Sequence, residues 1–204
     1  MFEIVNLLCQ FIILVCFLKI CIFQNIFTFY SDGDPDIASA SSGDNTIAVF
    51  KNIDRGIFCE IKEVVDDNAI GARTVIAADL NDDGWLDLAS ASKDDNSVSW
   101  YPNDGTGHFP SKIVISAGEE SEGAYSLFAV DIDKDGDQDL IVASNANDHV
   151  SIWRNDGSGN FNKTLVFDDA DFVLSVVSYT VWYACCLCYG DFLTSMYPSF
   201  FAAG

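Results

Sequence analysis

The chain has 204 residues, enough for one domain, and half of them are apolar, which excludes a disordered polar chain and allows a sizeable core. Ten Lys and Arg stand against 31 Asp and Glu, a formal net charge of −21. Nucleic acid is therefore excluded as a partner, because binding phosphates needs clustered cations, and an anionic membrane surface is disfavoured for the same reason. Cations are the natural partners of such a chain.

Charge and cysteine divide the chain into three pieces. Of the 31 acids, 29 lie between Asp32 and Asp171, whereas residues 1–30 hold only Glu3 and Lys19 and residues 172–204 only Asp191. Six of the seven cysteines (9, 16, 21, 185, 186 and 188) sit in the flanks and only Cys59 in the middle, which is not how a disulfide framework staples a domain. The expected pieces are an apolar head (1–27), an acidic middle (28–177) and an unassigned apolar tail (178–204).

The head is mostly apolar over residues 4–23 and unbroken at 11–18. It reads as a secretory signal or as an uncleaved, helical membrane anchor of about 20 residues. Glu3 in place of a basic residue and the lack of an A-x-A site leave both readings open, together with a third, that the segment is not native coding sequence.

The middle repeats three times. Asp36, Asp87 and Asp139 are spaced 51 and 52 apart. An aromatic follows each by 14 residues (Phe50, Tyr101, Trp153), Asn by 16 (Asn52, Asn103, Asn155), Gly by 20 (Gly56, Gly107, Gly159) and Phe by 22 (Phe58, Phe109, Phe161). After the Asp come a run of small and β-branched residues (88–92, 140–144), a polar turn (93–96, 145–148) and a second strand (97–101, 150–153). The Asn-Asp-Gly turns at 103–107 and 155–159 follow, since Gly supplies positive φ and Asn and Asp tolerate it. Strands at 112–116 and 125–130 complete the unit, and the second runs into the next acidic loop. Four strands in about 50 residues is the period of a propeller blade. The predicted fold is all-β, about three four-stranded blades of an incomplete propeller, with repeats at about 28–78, 79–130 and 131–177.

Two loops carry the chemistry. Asp79, Asn81, Asp83 and Asp87 stand at positions 1, 3, 5 and 9 of one nine-residue loop, with Gly84 at position 6. Asp131, Asp133, Asp135 and Asp139 repeat the pattern around Gly136. Alternating oxygen ligands about a sharp Gly turn suit Ca²⁺, which takes six to eight oxygens, and the backbone carbonyls of Trp85 and Asp137 at position 7 can add one each. Magnesium prefers to keep its waters in a near-ideal octahedron. An EF-hand is excluded, because position 12 is Ser90 or Val142 instead of Glu and the flanks are strands. The first repeat keeps Asp32, Gly33 and Asp36 but has Thr28 and Tyr30 at positions 1 and 3, so no strong metal site is expected there.

The loop D-x-[DN]-x-D-G-x-x-D, followed by a strand and N-D-G-x-G-x-F, resembles the FG-GAP/VCBS repeat, over roughly residues 32–177. That family builds the Ca²⁺-bearing β-propellers of integrin α-subunits and of many secreted or surface proteins. The resemblance implies a structural Ca²⁺ in each intact loop, held by Asp79, Asn81, Asp83 and Asp87 and by Asp131, Asp133, Asp135 and Asp139. Such propellers usually close with about seven blades, which removes exposed strand edges. Three blades leave edges open, an opportunity for self-association. After Phe161 the register decays, and Ser178 stands where a fourth loop would begin.

The tail is uncharged over residues 172–190, nominally long enough to span a bilayer, although its Ser, Thr and Tyr content argues against that. His108 and His149, the only histidines, have no nucleophile placed by a motif. The expected function is a calcium-binding recognition or adhesion module with a protein or glycan ligand. It is not an enzyme, and it is secreted or held by a single membrane pass with its repeats outside the cell, the anchor being residues 4–23. The alternatives are a partial gene product of a larger repeat protein and the accessory propeller of a polysaccharide-acting enzyme.

Overall fold

The computed structural model describes residues 21–30, 32–59, 61–167, 173–179 and 183–188, with residues 21–26 and the last two segments as backbone. The first antiparallel sheet has the order β1 (Cys21–Phe27), β2 (Asp36–Ser41), β3 (Thr46–Phe50) and β6 (Glu63–Asp66). A small hairpin, β4 (Asn52–Asp54) with β5 (Ile57–Phe58), is inserted before its last strand. The second sheet contains β7 (Ala72–Ala78), β8 (Asp87–Ser92), β9 (Ser97–Tyr101) and β10 (Ile113–Ala117). After a short 3-10 helix at Gly118–Ser121 comes the third, β11 (Ala124–Val130), β12 (Asp139–Ser144), β13 (His149–Asn155) and β14 (Phe161–Phe167). A two-stranded hairpin, β15 (Val173–Tyr179) with β16 (Tyr183–Cys188), follows. The described residues thus form three four-stranded blades and a hairpin, an open arc.

Sequence repeat and blade are offset by one strand. Each acidic loop lies inside a sheet, joining its first strand to its second: residues 79–86 link β7 to β8 and residues 131–138 link β11 to β12. A repeat counted from its loop therefore holds the last three strands of one blade and the first of the next. The first strands β1, β7, β11 and β15 pack against one another in series.

Strands β8, β9 and β12 are buried on both faces, which explains their runs of small and apolar residues. Alternate residues serve different cores. Leu140 and Val142 of β12 face Ile76, Leu80, Ala91 and Trp100 of the second blade, whereas Ile141 and Ala143 join Val150 in a separate cluster. Leu88 and Tyr101 face the first blade instead, packing with Phe29, Ile47 and Val49. Each blade interface is thus a core in its own right, and a blade without neighbours would expose two apolar faces.

Two boundaries differ from the sequence reading. Residues 21–27, expected in the apolar head, form the first strand of the first blade, with Cys21 opposite Ser41 and Phe27 opposite Asp36. The reason is that β2 needs a hydrogen-bonded neighbour on that side, and an apolar run serves a strand as well as a signal. Part of the supposed tail, residues 183–188, pairs with β15. The helix, signal or anchor expected of residues 1–20 and the tail beyond 188 lie outside the described residues. No helix among the described residues is long and apolar enough to cross a membrane.

Blade spacing depends on the repeat glycine. Gly159 has a φ of +76°, and a Cβ there would lie 2.2 Å from the Trp100 ring of the preceding blade. Gly159→Ala is expected to cost about 2–4 kcal/mol, from left-handed strain plus overpacking. Gly84→Ala, at φ +87° with nothing near the added Cβ, should cost only the strain, about 1–2 kcal/mol. Urea unfolding of both variants without divalent cations measures the difference.

Candidate metal centre

The closing aspartate of each loop opens the strand that follows it, and all three are completely buried: Asp36, Asp87 and Asp139 each have 0% exposure. Each carboxylate accepts two backbone N–H groups from fixed offsets. Asp36 takes Phe29 N–H at 3.0 Å and Asn52 N–H at 2.9 Å. Asp87 takes Leu80 at 3.2 Å and Asn103 at 2.8 Å, and Asp139 takes Ile132 at 3.1 Å and Asn155 at 2.9 Å. Each carboxylate therefore clips the second residue of its loop to the Asn turn across the blade. Burying such a charge is tolerable only because its oxygens are supplied with donors.

The repeat Asn extends the clip. Its side-chain oxygen accepts the N–H of the repeat glycine, at 3.0 Å from Gly56 and Gly107 and 3.1 Å from Gly159. Its amide nitrogen donates to the carbonyl before the closing Asp, at Pro35, Leu86 and Gln138. Two of these amides also reach the previous blade: Asn103 donates to Phe29 O at 3.3 Å and Asn155 to Leu80 O at 2.9 Å. The residue whose N–H is clipped within one blade is thus the one whose carbonyl is held by the next.

The third-repeat loop gathers carboxylates. Ligand oxygens of Asp131, Asp133 and Asp139 lie within 4.8 Å of one another. One Asp131 oxygen accepts Gly136 N–H at 3.2 Å, while the other, Oδ1, is buried without a hydrogen-bond partner. An unsatisfied buried carboxylate oxygen costs more than one held by a donor or a cation, so this atom fits a metal ligand. Asp135, also expected as a ligand, is found accepting Asp137 N–H at 3.0 Å.

The second-repeat loop folds onto its own amides. Asp79 accepts Asp83 N–H at 3.2 Å and Gly84 N–H at 2.8 Å, Asn81 accepts Asp83 N–H at 3.1 Å, and Asp83 accepts Trp85 N–H at 2.9 Å. Both loops reach this turn through left-handed residues at positions 4 and 6: Asp82 and Gly84 (φ +57° and +87°), and Lys134 and Gly136 (+65° and +108°). Trp85 and Asp137 close the two turns through their N–H groups. Between the loops lies a cavity of about 190 Å³ bordered by Asp79, Asp82, Asp137 and Asn155.

The first loop is built differently, as its sequence predicts. Tyr30, at position 3, donates its hydroxyl to Glu63 at 2.8 Å, and its ring lies 4.1 Å beneath the Lys51 ammonium. That ammonium pairs with Asp32, at position 5, at 3.2 Å. In the third blade Arg154 Nε lies 3.2 Å from Asp133. Sequence reasoning passed over both cations, although each stands immediately before its repeat Asn.

Burial raises the Asp87 carboxyl to about 6, against the donors Asn103, Trp100 and Leu80, which favour its charge. Burial likewise raises Asp36, against the N–H groups of Asn52 and Phe29. Asp137 is raised by partial burial and by Asp135, Asp82, Asp156 and Asp131 around it.

Comparison with known proteins agrees with this architecture. The FG-GAP-like repeat model matches three overlapping stretches, residues 29–90, 79–142 and 131–179. No curated protein matches the chain. Among solved structures it is similar to an Agrocybe aegerita lectin described by its specific recognition of non-reducing terminal N-acetylglucosamine, at 22% identity and a TM-score of 0.52. The likeness covers 75% of this chain and 39% of the lectin, so the chain spans about two fifths of that protein.

Two outcomes follow from the clips and their charge. Asp36→Ala, in the loop lacking ligand positions 1 and 3, leaves two buried N–H groups unpaired and should cost about 2–5 kcal/mol, equally in EDTA and in Ca²⁺, as read by urea unfolding. Asp87 has its folded pKa above the ordinary value of 3.8. The metal-free fold therefore binds the proton more readily than the unfolded chain, and this group's contribution to stability falls as pH rises from about 4 to about 6. Its carboxyl ¹³C resonance should titrate near 6 in EDTA and well below that once a cation occupies the loop.

Proposed function

Since this chain belongs to the FG-GAP-like repeat family, we propose that it is a calcium-stabilised, propeller-type recognition module whose metal is structural. The observation that carries the reading is Asp131 Oδ1, buried and unpartnered within the cluster of Asp131, Asp133 and Asp139. An all-oxygen donor set on a short turn suits Ca²⁺. In the third loop Asp131, Asp133, Asp135 and Asp139 and the Asp137 carbonyl would hold it. In the second, Asp79, Asn81, Asp83 and Asp87 and the Trp85 carbonyl would do so. The ion neutralises carboxylates that otherwise repel one another and pins the first two strands of the blade.

The closing Asp can serve both roles, because each carboxylate oxygen has two lone pairs and can accept an N–H while facing a cation. The working place proposed is outside the cell, secreted or tethered through residues 4–23, where an affinity of order 10⁻⁴–10⁻³ M, the range of extracellular modules, would fill the loops. A glycan is the favoured ligand, because the similar lectin structure recognises a sugar. The exposed residues Val64, Val114 and Phe167 on the last strands of the three blades offer surfaces for a protein partner or a second copy. The chain acts by binding and not by catalysis, since the carboxylates that acid–base chemistry would use are committed to clips and ligands.

Thermal unfolding of the whole chain in EDTA and in millimolar Ca²⁺ tests the metal. At about 1 mM Ca²⁺ and a Kd of order 10⁻⁴–10⁻³ M, binding to the folded state alone should add about 0.4–1.4 kcal/mol per site. The gain should vanish in the double variant Asp83→Ala/Asp135→Ala. A cooperative melt indifferent to Ca²⁺ would refute the reading.

A further inference from the structure

The residue immediately before each repeat Asn stands 15 positions after the closing Asp, where the chain leaves the blade's third strand beside the acidic loop. It is Lys51 in the first repeat, Pro102 in the second and Arg154 in the third. Both cations turn toward their own loops. Lys51 Nζ lies 3.2 Å from Asp32, at loop position 5, and 4.1 Å from the centre of the Tyr30 ring, at position 3. Arg154 Nε lies 3.2 Å from Asp133, at position 3, while its Nη1 donates to Thr164 at 3.2 Å.

The first loop, which lacks oxygen-rich positions 1 and 3, is therefore served by a side-chain cation paired with position 5. The third loop has a full set of ligand positions, and a guanidinium already holds one member of its carboxylate cluster. Pro102 brings no charge to the second.

We propose that this position sets each loop's demand for a bound cation: Lys51 replaces the ion in the first loop, Pro102 leaves the second to the ion, and Arg154 competes with the ion for Asp133 in the third. The proposal rests on the calcium reading above and goes beyond it by ranking the sites. The second loop fills first. Binding in the third requires the guanidinium to release Asp133, and in the metal-free chain that same guanidinium is the loop's counter-ion. Because both pairs are partly exposed, each is individually weak, so the competition shifts affinity without abolishing binding.

Calorimetric titration of the full chain with Ca²⁺, paired with melting curves in EDTA, tests the ranking. The wild-type chain should bind two ions of unequal affinity. Arg154→Met should tighten the weaker site about three- to tenfold, the scale of removing one exposed charge beside a dication. Pro102→Arg should weaken the stronger site by a similar factor. Lys51→Met should leave the number of ions at two and lower the melting temperature in EDTA, a loss that millimolar Ca²⁺ does not restore to the first loop. Two sites with affinities unmoved by Arg154→Met would overturn the ranking and leave the calcium reading standing. No Ca²⁺ heat in any variant would remove both. Should Arg154→Met fold poorly, Arg154→Gln, which keeps a donor for Thr164, answers the same question.

Discussion

Every blade depends on one buried carboxylate that two backbone amides hold from opposite sides. Asp36, Asp87 and Asp139 are fully buried, and each receives one N–H from seven residues before it and one from sixteen after it. The acceptor must offer two oxygens, because an amide in its place would meet one of the two N–H groups with another donor. Asn103 and Asn155 carry the connection into the preceding blade through the carbonyls of Phe29 and Leu80. The interblade cores supply most of the driving force, and this backbone network fixes the register in which they meet.

The same aspartate also explains how a loop without oxygen-rich positions 1 and 3 keeps its fold. In the first repeat positions 1 and 3 have become Thr28 and Tyr30, yet the Asp36 clip retains the geometry of the other two. Position 9 thus has a structural duty separate from ligation, whereas positions 1, 3 and 5 answer to the electrostatics of the loop tip. There the imbalance of a chain with net charge −21 is concentrated, and Lys51 and Arg154 relieve it in two of the three repeats.

Much of this was legible in the sequence, because the repeat preserves both ends of the clip. The spacing from Asp to Asn by 16 and to Gly by 20 marked the turn, and alternating small and apolar residues marked strands buried on both faces. What remained hidden was pairing across space. No spacing reveals that Phe29, Leu80 and Ile132 act through their backbones, since any residue has an N–H to offer. The cations were overlooked because an isolated Lys51 or Arg154 reads as a solvated charge until its distance to Asp32 or Asp133 is known. The start of the first blade was misplaced because Cys21–Phe27 is as apolar as the segment before it, and only its pairing with β2 distinguishes a strand from a leader.

Amide hydrogen exchange by NMR, in EDTA and then in Ca²⁺, tests most directly whether the clip stands apart from the metal. The N–H groups of Phe29, Asn52, Leu80, Asn103, Ile132 and Asn155 should be strongly protected in both conditions, whereas those of Asp83, Gly84, Gly136 and Asp137, whose hydrogen bonds are exposed, should be weakly protected in EDTA and more so with the cation. Exchange of the six clipped amides as fast as the loop tips in EDTA would mean that the ion, and not the buried carboxylate, holds the blades in register.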